Sequence, residues 1–448
     1  MSMAASGQRQ GRSAAIFCCL LALLALAACA GGTPSSPPSP ASPPERAHAP
    51  SAIPPARQPA AIAFPRAQGS IPVALLLPLS GPQAETGRAL LKAAELAFFD
   101  ASDPRLRILV ENTAGTAEGA REAAERAVAA GARVVVGPLL SQAVAAAAPV
   151  LRRAGIPTLA LTSDARTAQP GIWPLGFAPE ADVARILSFA AARGHRRLAA
   201  LLPETAYGER VLNALGPSLR RTGMTVVALA RYLPNAAALD GPVRRIARYD
   251  ARHRALLAER AVLEALGDDL SREILAELDK RDTLGRPGFD ALLLAEGDPL
   301  IRSLAPLLAY YDVDATSIQF LGTGLWDDPV VLREPNLRGA WFPAPEPRRP
   351  HALISRLESR FGGSFPRIAT LAYDAMALVA LLAREPDVSR RLTMAAFTDP
   401  RGFIGVDGPL RLHPDGRVER HLAVLEIRKG GFAVIDPADP HFLLPPIS

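Results

Sequence analysis

Cysteine and lysine are the two residue types this chain of 448 residues does almost without. Its three cysteines, Cys18, Cys19 and Cys29, all fall within the first thirty residues. The remainder therefore holds no disulfide framework, no cysteine-ligated metal and no cysteine nucleophile. Lysine occurs only at Lys92, Lys280 and Lys429, so nearly all of the 50 cationic side chains are arginines. They are spread along the chain rather than gathered in a run interleaved with aromatic residues. That pattern argues against a nucleic-acid surface.

Catalytic signatures are missing as well. There is no Walker phosphate loop, no G-x-G-x-x-G and no G-x-S-x-G nucleophile elbow. The 7 histidines are scattered and never take the helical spacing of a metal pair. Acid pairs such as Asp268-Asp269 and Asp327-Asp328 stand where helix caps and exposed turns take acids. These absences predict a protein that is not an enzyme and that uses no metal or cofactor.

What is present begins with an address. Arg9 and Arg12 precede an unbroken apolar stretch over 14–28, and Cys29 follows it. A positive start, a short apolar core and small residues at its end make a secretory signal over 1–28. The core falls short of the roughly 20 apolar residues that span a bilayer. Leu26-Ala27-Ala28-Cys29 resembles the lipobox of bacterial lipoproteins, which implies lipidation of Cys29 and a membrane anchor. The alternative is an ordinary signal peptide with an incidental cysteine. Ala30 after the cysteine, in place of aspartate, favours the outer membrane by the sorting rule of such lipoproteins. Loss of Arg9 and Arg12 with the signal lowers the formal charge from +6 to +4. Residues 29–70 are dense in proline and lack periodicity, so they read as a tether reaching on the order of 100 Å.

The body opens on a unit that the rest repeats. An apolar run over 71–77 ends at Pro78-Leu79-Ser80-Gly81-Pro82, and an amphipathic helix follows to Asp100. Further strands are expected over 105–112, 132–138, 156–162 and 173–179, with helices between them over 116–130 and 141–154, the latter capped by Ser141. The rhythm restarts with helices over 180–193 and 207–221 and strands over 197–203, 224–232, 290–296 and 317–322. Strands alternating with helices of ten to fifteen residues mean parallel sheets. The fold class is α/β: two Rossmann-like lobes with an interlobe cleft, lobe 1 over 71–179 and lobe 2 over 180–342. A charged helical insertion at about 242–284 interrupts lobe 2. It carries an apolar stripe of Ile246, Leu256, Leu257, Leu263, Leu266, Ile274 and Leu278 and a break near Gly267. Its charges make either a solvated face or a partner surface. Residues 343–448 return to lobe 1 through two helices and end in short antiparallel strands, with turns at Asp415-Gly416 and Gly430-Gly431.

Several stretches resemble a known group. Pro78-Leu79-Ser80-Gly81-Pro82, Val134-Val135-Val136-Gly137-Pro138-Leu139 with Ser141, Ile156-Pro157-Thr158 and Thr162-Ser163 look like type I periplasmic binding proteins, the leucine-binding-like receptors. Tyr207-Gly208 matches their Tyr-Gly after the first strand of the second lobe. Within that group, the run from Thr86 to Asp100, the lipobox and the helical insertion resemble the penicillin-binding-protein activator lipoproteins. Those sit on the outer membrane and stimulate peptidoglycan synthases. Their enteric members add an N-terminal helical-repeat domain that binds the synthase, where this sequence has the Pro-rich segment.

The resemblance leaves two functions open. One is a lipid-anchored, non-enzymatic module of peptidoglycan synthesis on the outer membrane, facing the periplasm, with a synthase as partner; this is the expectation placed first. The other is a receptor that closes over a small amino-acid-like ligand, as in transport systems of the ABC type. For the second, Ser80, Ser141, Gln142, Thr162, Ser163, Tyr207, Glu296 and Thr323 fall near strand ends and are the candidate cleft residues. Each has a plainer reading: Ser141 as a helix cap, Thr162 and Ser163 as turn residues.

Overall fold

The computed structural model describes residues 69–442. The signal segment, Cys29 and nearly all of the Pro-rich tether lie outside the described residues.

Lobe 1 is built as β1 (Ile71–Leu77), α1 (Ala84–Ala101), β2 (Leu106–Asn112), α2 (Ala117–Ala129), β3 (Val134–Val136), α3 (Ser141–Arg153), β4 (Thr158–Ala160) and β5 (Ile172–Pro174). Its five strands are all parallel, in the order β2-β1-β3-β4-β5. Every residue of β1 is buried, because helices cover both faces of a parallel sheet and leave no side for polar residues. Thr116 caps α2 by accepting the Gly119 N–H. Ser141 does not cap α3. The cap position belongs to Leu140, which offers no side-chain bond, and Ser141 is the first helical residue.

Lobe 2 continues with α4 (Pro179–Ala192), β6 (Arg197–Pro203), α5 (Ala206–Thr222), β7 (Thr225–Tyr232), α6 (Asp240–Ile246), α7 (Tyr249–Leu266), α8 (Asp269–Leu278), β8 (Ala291–Leu294), α9 (Ile301–Tyr310), β9 (Gln319–Leu321) and β10 (Trp341–Ala344). The parallel strands run β10-β9-β8-β6-β7, the same order as lobe 1. The fifth of them, β10, is not predicted from the sequence. It is four residues long and contains Pro343, and a proline in a short run hides a strand.

The remainder divides between the lobes. Helices α10 (Arg348–Phe361) and α11 (Ala369–Ala383), then β11 (Phe403–Gly405), β12 (Gly408–Leu412) and β13 (Val418–Arg420), pack on lobe 1. Helix α11 is apolar nearly all round and buries eleven residues. Strands β14 (Ala423–Arg428) and β15 (Gly431–Asp436) instead join the lobe 2 sheet, β14 antiparallel to β10 and β15 antiparallel to β14. The chain thus passes between lobes after β5, after β10 and after β13.

The opening motif is repeated at atomic detail. In lobe 1 a Cβ on Gly87 would meet the Pro78 carbonyl oxygen at 2.0 Å, and in lobe 2 a Cβ on Gly208 would meet that of Pro203 at 1.9 Å. Each helix passes so close over the end of its strand that only glycine fits.

The insertion is a hairpin of α7 and α8, broken at Gly267, which has a φ of 65°. Asp268 caps α8. Only part of the expected stripe is covered: Leu256, Leu263 and Leu278 form a small core, while Leu257, Leu266 and Ile274 are exposed. Two helices joined only at their base bury one face each, so half of a broad stripe stays wet. Arg252 anchors that base by donating to the Gly285, Ala247 and Tyr311 carbonyls.

Candidate functional site

In a parallel sheet with the order 2-1-3-4-5, successive connections leave in opposite directions between the first and third strands. The crevice so opened at the carboxyl ends is where such sheets take ligands. Lobe 1 has this switch point between β1 and β3, and lobe 2 has it between β6 and β8. Ser80 stands on the loop there and Ser141 at the start of α3 in one lobe, and Tyr207 in the first turn of α5 and Glu296 on its loop in the other.

The lobe 1 wall is set by a residue the sequence reading passed over. The Asn112 amide at the end of β2 donates to Ser80 Oγ at 2.9 Å, and its Oδ1 accepts the N–H groups of Leu79 and Ala114. Gln142 reaches back to the Gly115 carbonyl at 3.3 Å. Thr162 is buried, and its hydroxyl accepts the Asp164 N–H at 3.2 Å, so it shapes the turn as its plainer reading says.

The lobe 2 wall is tighter. The Tyr207 hydroxyl donates to Thr323 Oγ1 at 2.7 Å, and Thr323 is fully buried. Burial, then the charge of Asp182, pushes the Tyr207 phenol well above its usual range. Next to this pair the Gly324 N–H donates to Asp182 at 2.9 Å. Burial pushes the Asp182 carboxyl up to about 7. Glu296 accepts the Tyr232 hydroxyl at 2.7 Å and the Gly297 N–H at 3.1 Å, while its carbonyl accepts Trp326 Nε1 at 2.8 Å.

Among the described residues, two arginines join the lobes. Arg210 on α5 donates to the Ser163 carbonyl at 2.6 Å while holding Glu180 by two bonds at 2.8 and 2.7 Å. Arg367, just before α11, pairs with Asp327 of lobe 2 at 2.7 Å and with Asp407 of the C-terminal segment at 2.8 Å. Asp327 is therefore an interlobe ion-pair partner rather than the cap or exposed turn expected of it; Asp328 does cap a short helical turn. Burial raises the Asp327 pKa against the opposing pull of Arg367. Phe177, on the first crossing, is faced by Arg367 and Arg420, with the guanidinium carbons 4.9 and 5.4 Å from the ring centre.

The eight candidate residues are thus only partly gathered. Tyr207 and Thr323 bond directly, and Ser163 touches lobe 2 through its carbonyl. No hydrogen bond among the described residues joins Ser80, Ser141 or Thr162 to lobe 2. Residues the sequence reading missed (Asn112, Asp182, Arg210 and Arg367) do the joining and bracing. Only contacts far apart in the chain reveal them. No group of three or more His, Cys, Asp or Glu side chains among the described residues is arranged to hold a metal.

A cavity of about 900 Å³ lies beside this cleft, between α4 and α5 on one side and the connection from β12 to β14 on the other. Of the eight candidates only Ser163 lines it.

Comparison with known proteins agrees with this geometry. A family described as "Periplasmic binding protein" matches residues 70–431. No curated protein matches the chain. Among solved structures, a putative branched-chain amino acid ABC transporter protein from Rhodospirillum rubrum is similar, with a TM-score of 0.65 and 20% identity, over 82% of this chain and 100% of that one. A Rhodopseudomonas palustris solute binding protein in complex with benzoate has a TM-score of 0.54 and 17% identity, over 84% and 98%. The Streptococcus pneumoniae branched-chain amino acid substrate binding protein in complex with isoleucine has a TM-score of 0.52 and 15% identity, over 82% and 100%. At these identities the likeness is one of fold.

Proposed function

This chain belongs to the periplasmic binding protein family, and from that premise we propose that it is a solute receptor of the periplasm, closing its lobes over a small amino-acid-like ligand. The observation that carries the reading is the doubled switch point. Supporting it, Ser80 and Ser141 of one lobe and Tyr207 and Glu296 of the other lie in loops or first helical turns that follow the carboxyl ends of the strands at these points, where such sheets take ligands.

The chemistry of the two walls is complementary to such a ligand. Lobe 1 offers hydroxyls and the first N–H groups of α3, which has no side-chain cap; both suit a carboxylate. Lobe 2 offers Glu296. Its two oxygens already accept one bond each, and a carboxylate has about four acceptor positions, so room remains for an ammonium. The matched family and the solved neighbours support this receptor over the synthase activator that the sequence places first. Calorimetry on the full mature chain with branched-chain amino acids tests it. The expected result is micromolar binding that weakens at least about tenfold in Glu296→Gln, the scale of a hydrogen bond to a charged group. Absence of binding at millimolar amino acid refutes it.

Lipid anchoring at Cys29 is part of the proposal, supported by Leu26-Ala27-Ala28-Cys29 at the end of the apolar run. Intact-mass measurement of membrane-extracted protein tests it, and absence of acyl groups refutes it. A second reading, docking of a peptidoglycan synthase, is favoured by one feature. The α7–α8 hairpin leaves Leu266 63% and Leu270 65% exposed beside its tip. Copurification of a synthase from solubilised membranes, lost in Leu266→Glu/Leu270→Glu, supports that reading; unchanged recovery refutes it.

A further inference from the structure

The cavity beside the cleft is large enough for a small molecule. Its volume of about 900 Å³ lies within the range of about 300–1,000 Å³ typical of small-molecule sites. Much of its wall is apolar, formed by Phe177, Ala181, Ala184, Pro217 and Leu422.

Its charges are unequal in what they have left to give. Arg185, Arg221, Arg417 and Arg420 line it, against Glu180, Asp182 and Glu419. The acids are consumed or silenced. Glu180 is held by Arg210. Glu419 is held by Arg411 and His413. Burial raises the Asp182 carboxyl to about 7, so it carries only part of a charge near neutrality. Two of the cations are in no ion pair among the described residues. Arg221 has no ion-pair or hydrogen-bond partner among the described residues. Arg420 donates to the Leu175 and Asp407 carbonyls, stacks on Phe177 and has the buried Asp374 carboxyl as an electrostatic neighbour. A partly apolar cavity with guanidinium groups outside any ion pair, Arg221 exposed among them, suits a ligand that has an apolar body and an anionic head.

We propose that this cavity is a second ligand site, distinct from the strand-end cleft, for organic acids with an aryl or alkyl body. The acid group is held by Arg221 and Arg420, and the body packs against Phe177, Ala184 and Pro217. Because α4 and α5 belong to lobe 2 and the β12–β13 connection packs on lobe 1, an occupant bears on both lobes and couples to cleft closure. The Arg210–Ser163 bond stands at the shared edge.

Indole-3-acetate and octanoate, each with its amide as the uncharged control, test the site by calorimetry on the full mature chain. Both acids are expected to bind at least about tenfold more tightly than their amides, and Arg221→Glu is expected to remove that preference. Ala184→Phe, which puts a ring where the acid's body packs, is expected to weaken binding of the acids at least about tenfold while leaving amino-acid binding in place. Ser80→Ala and Glu296→Gln, in the cleft, are expected to leave acid binding unchanged. Acids that bind no better than amides, or no binding at millimolar acid, overturn the proposal. So does binding lost in the cleft variants and kept in Ala184→Phe, which places the acids in the cleft. Failure of amino acids to bind, with the acids behaving as stated, refutes the receptor reading of the cleft and leaves this site standing.

Discussion

Replacing Asp182 with asparagine isolates the one buried acid of the lobe 2 wall. Asp182 is 4% exposed, and its carboxyl accepts one hydrogen bond, from the Gly324 N–H at 2.9 Å. No cation forms an ion pair with it among the described residues. Burial is the main cause that lifts its pKa from 3.8 to about 7, with Glu180 and Asp327 adding to the rise and Gly324 and Arg210 opposing it. The folded state therefore holds this proton more tightly than the unfolded chain does. Stability from this group is full below about pH 4, declines as pH rises to about 7, and falls no further above that. At 1.36 kcal/mol for each tenfold change in proton affinity, the loss is on the order of 4 kcal/mol. Asparagine keeps an oxygen for the Gly324 N–H and cannot ionise. Asp182→Asn should thus match the parent near pH 4 and exceed it by several kcal/mol at pH 8. Asp374, also raised to about 7 by burial and the neighbouring Asp407, is present in both proteins and drops out of the difference. Urea unfolding at half-unit pH steps measures it. A difference that does not change between pH 4 and 8, or a parent more stable than the variant at pH 8, refutes the reasoning.

Arg367→Met removes the cation shared by the lobes and strands Asp327, whose side chain is 7% exposed, and the fully buried Asp407. Breaking one partner of a buried pair costs about 3–5 kcal/mol, and a loss below about 1 kcal/mol in urea unfolding refutes the assignment. Gly208→Ala puts a Cβ 1.9 Å from the Pro203 carbonyl oxygen, whereas Gly216→Ala on the same helix meets only Arg220 Nη1 at 3.6 Å. The first should destabilise by about 1–3 kcal/mol or more, and the second should stabilise by about 0.4–1 kcal/mol. Equal thermal midpoints for the two variants refute the close-approach argument.

Local signals carried the reading where the physics is local. Apolar runs such as Ile71–Leu77 and Arg197–Pro203, followed by helices at a spacing of three and four, announce parallel sheets because a buried strand and an amphipathic helix each impose a period on their own residues. The matching close approaches of Gly87 to Pro78 and of Gly208 to Pro203 show only in the structure. The hairpin break at Gly267 and the cap at Asp268 are readable too, since a left-handed residue and a side-chain cap act within a turn.

What lies between distant residues was not readable. Strand β10 is a strand only because β9 and β14 flank it, and β14 and β15 choose lobe 2 because β10 presents an open edge there. Asp327 looks like a turn acid until Arg367, forty positions on, folds against it. Asp182 looks like an ordinary first-turn acid of α4 until Gly324 closes over it and water is removed. The sequence by itself determined the two-lobed parallel architecture, because periodicity and turn chemistry are written residue by residue. The tertiary structure alone decided which acids are buried, which arginines join the lobes and where the second cavity opens, because burial and pairing are properties of the assembled surfaces.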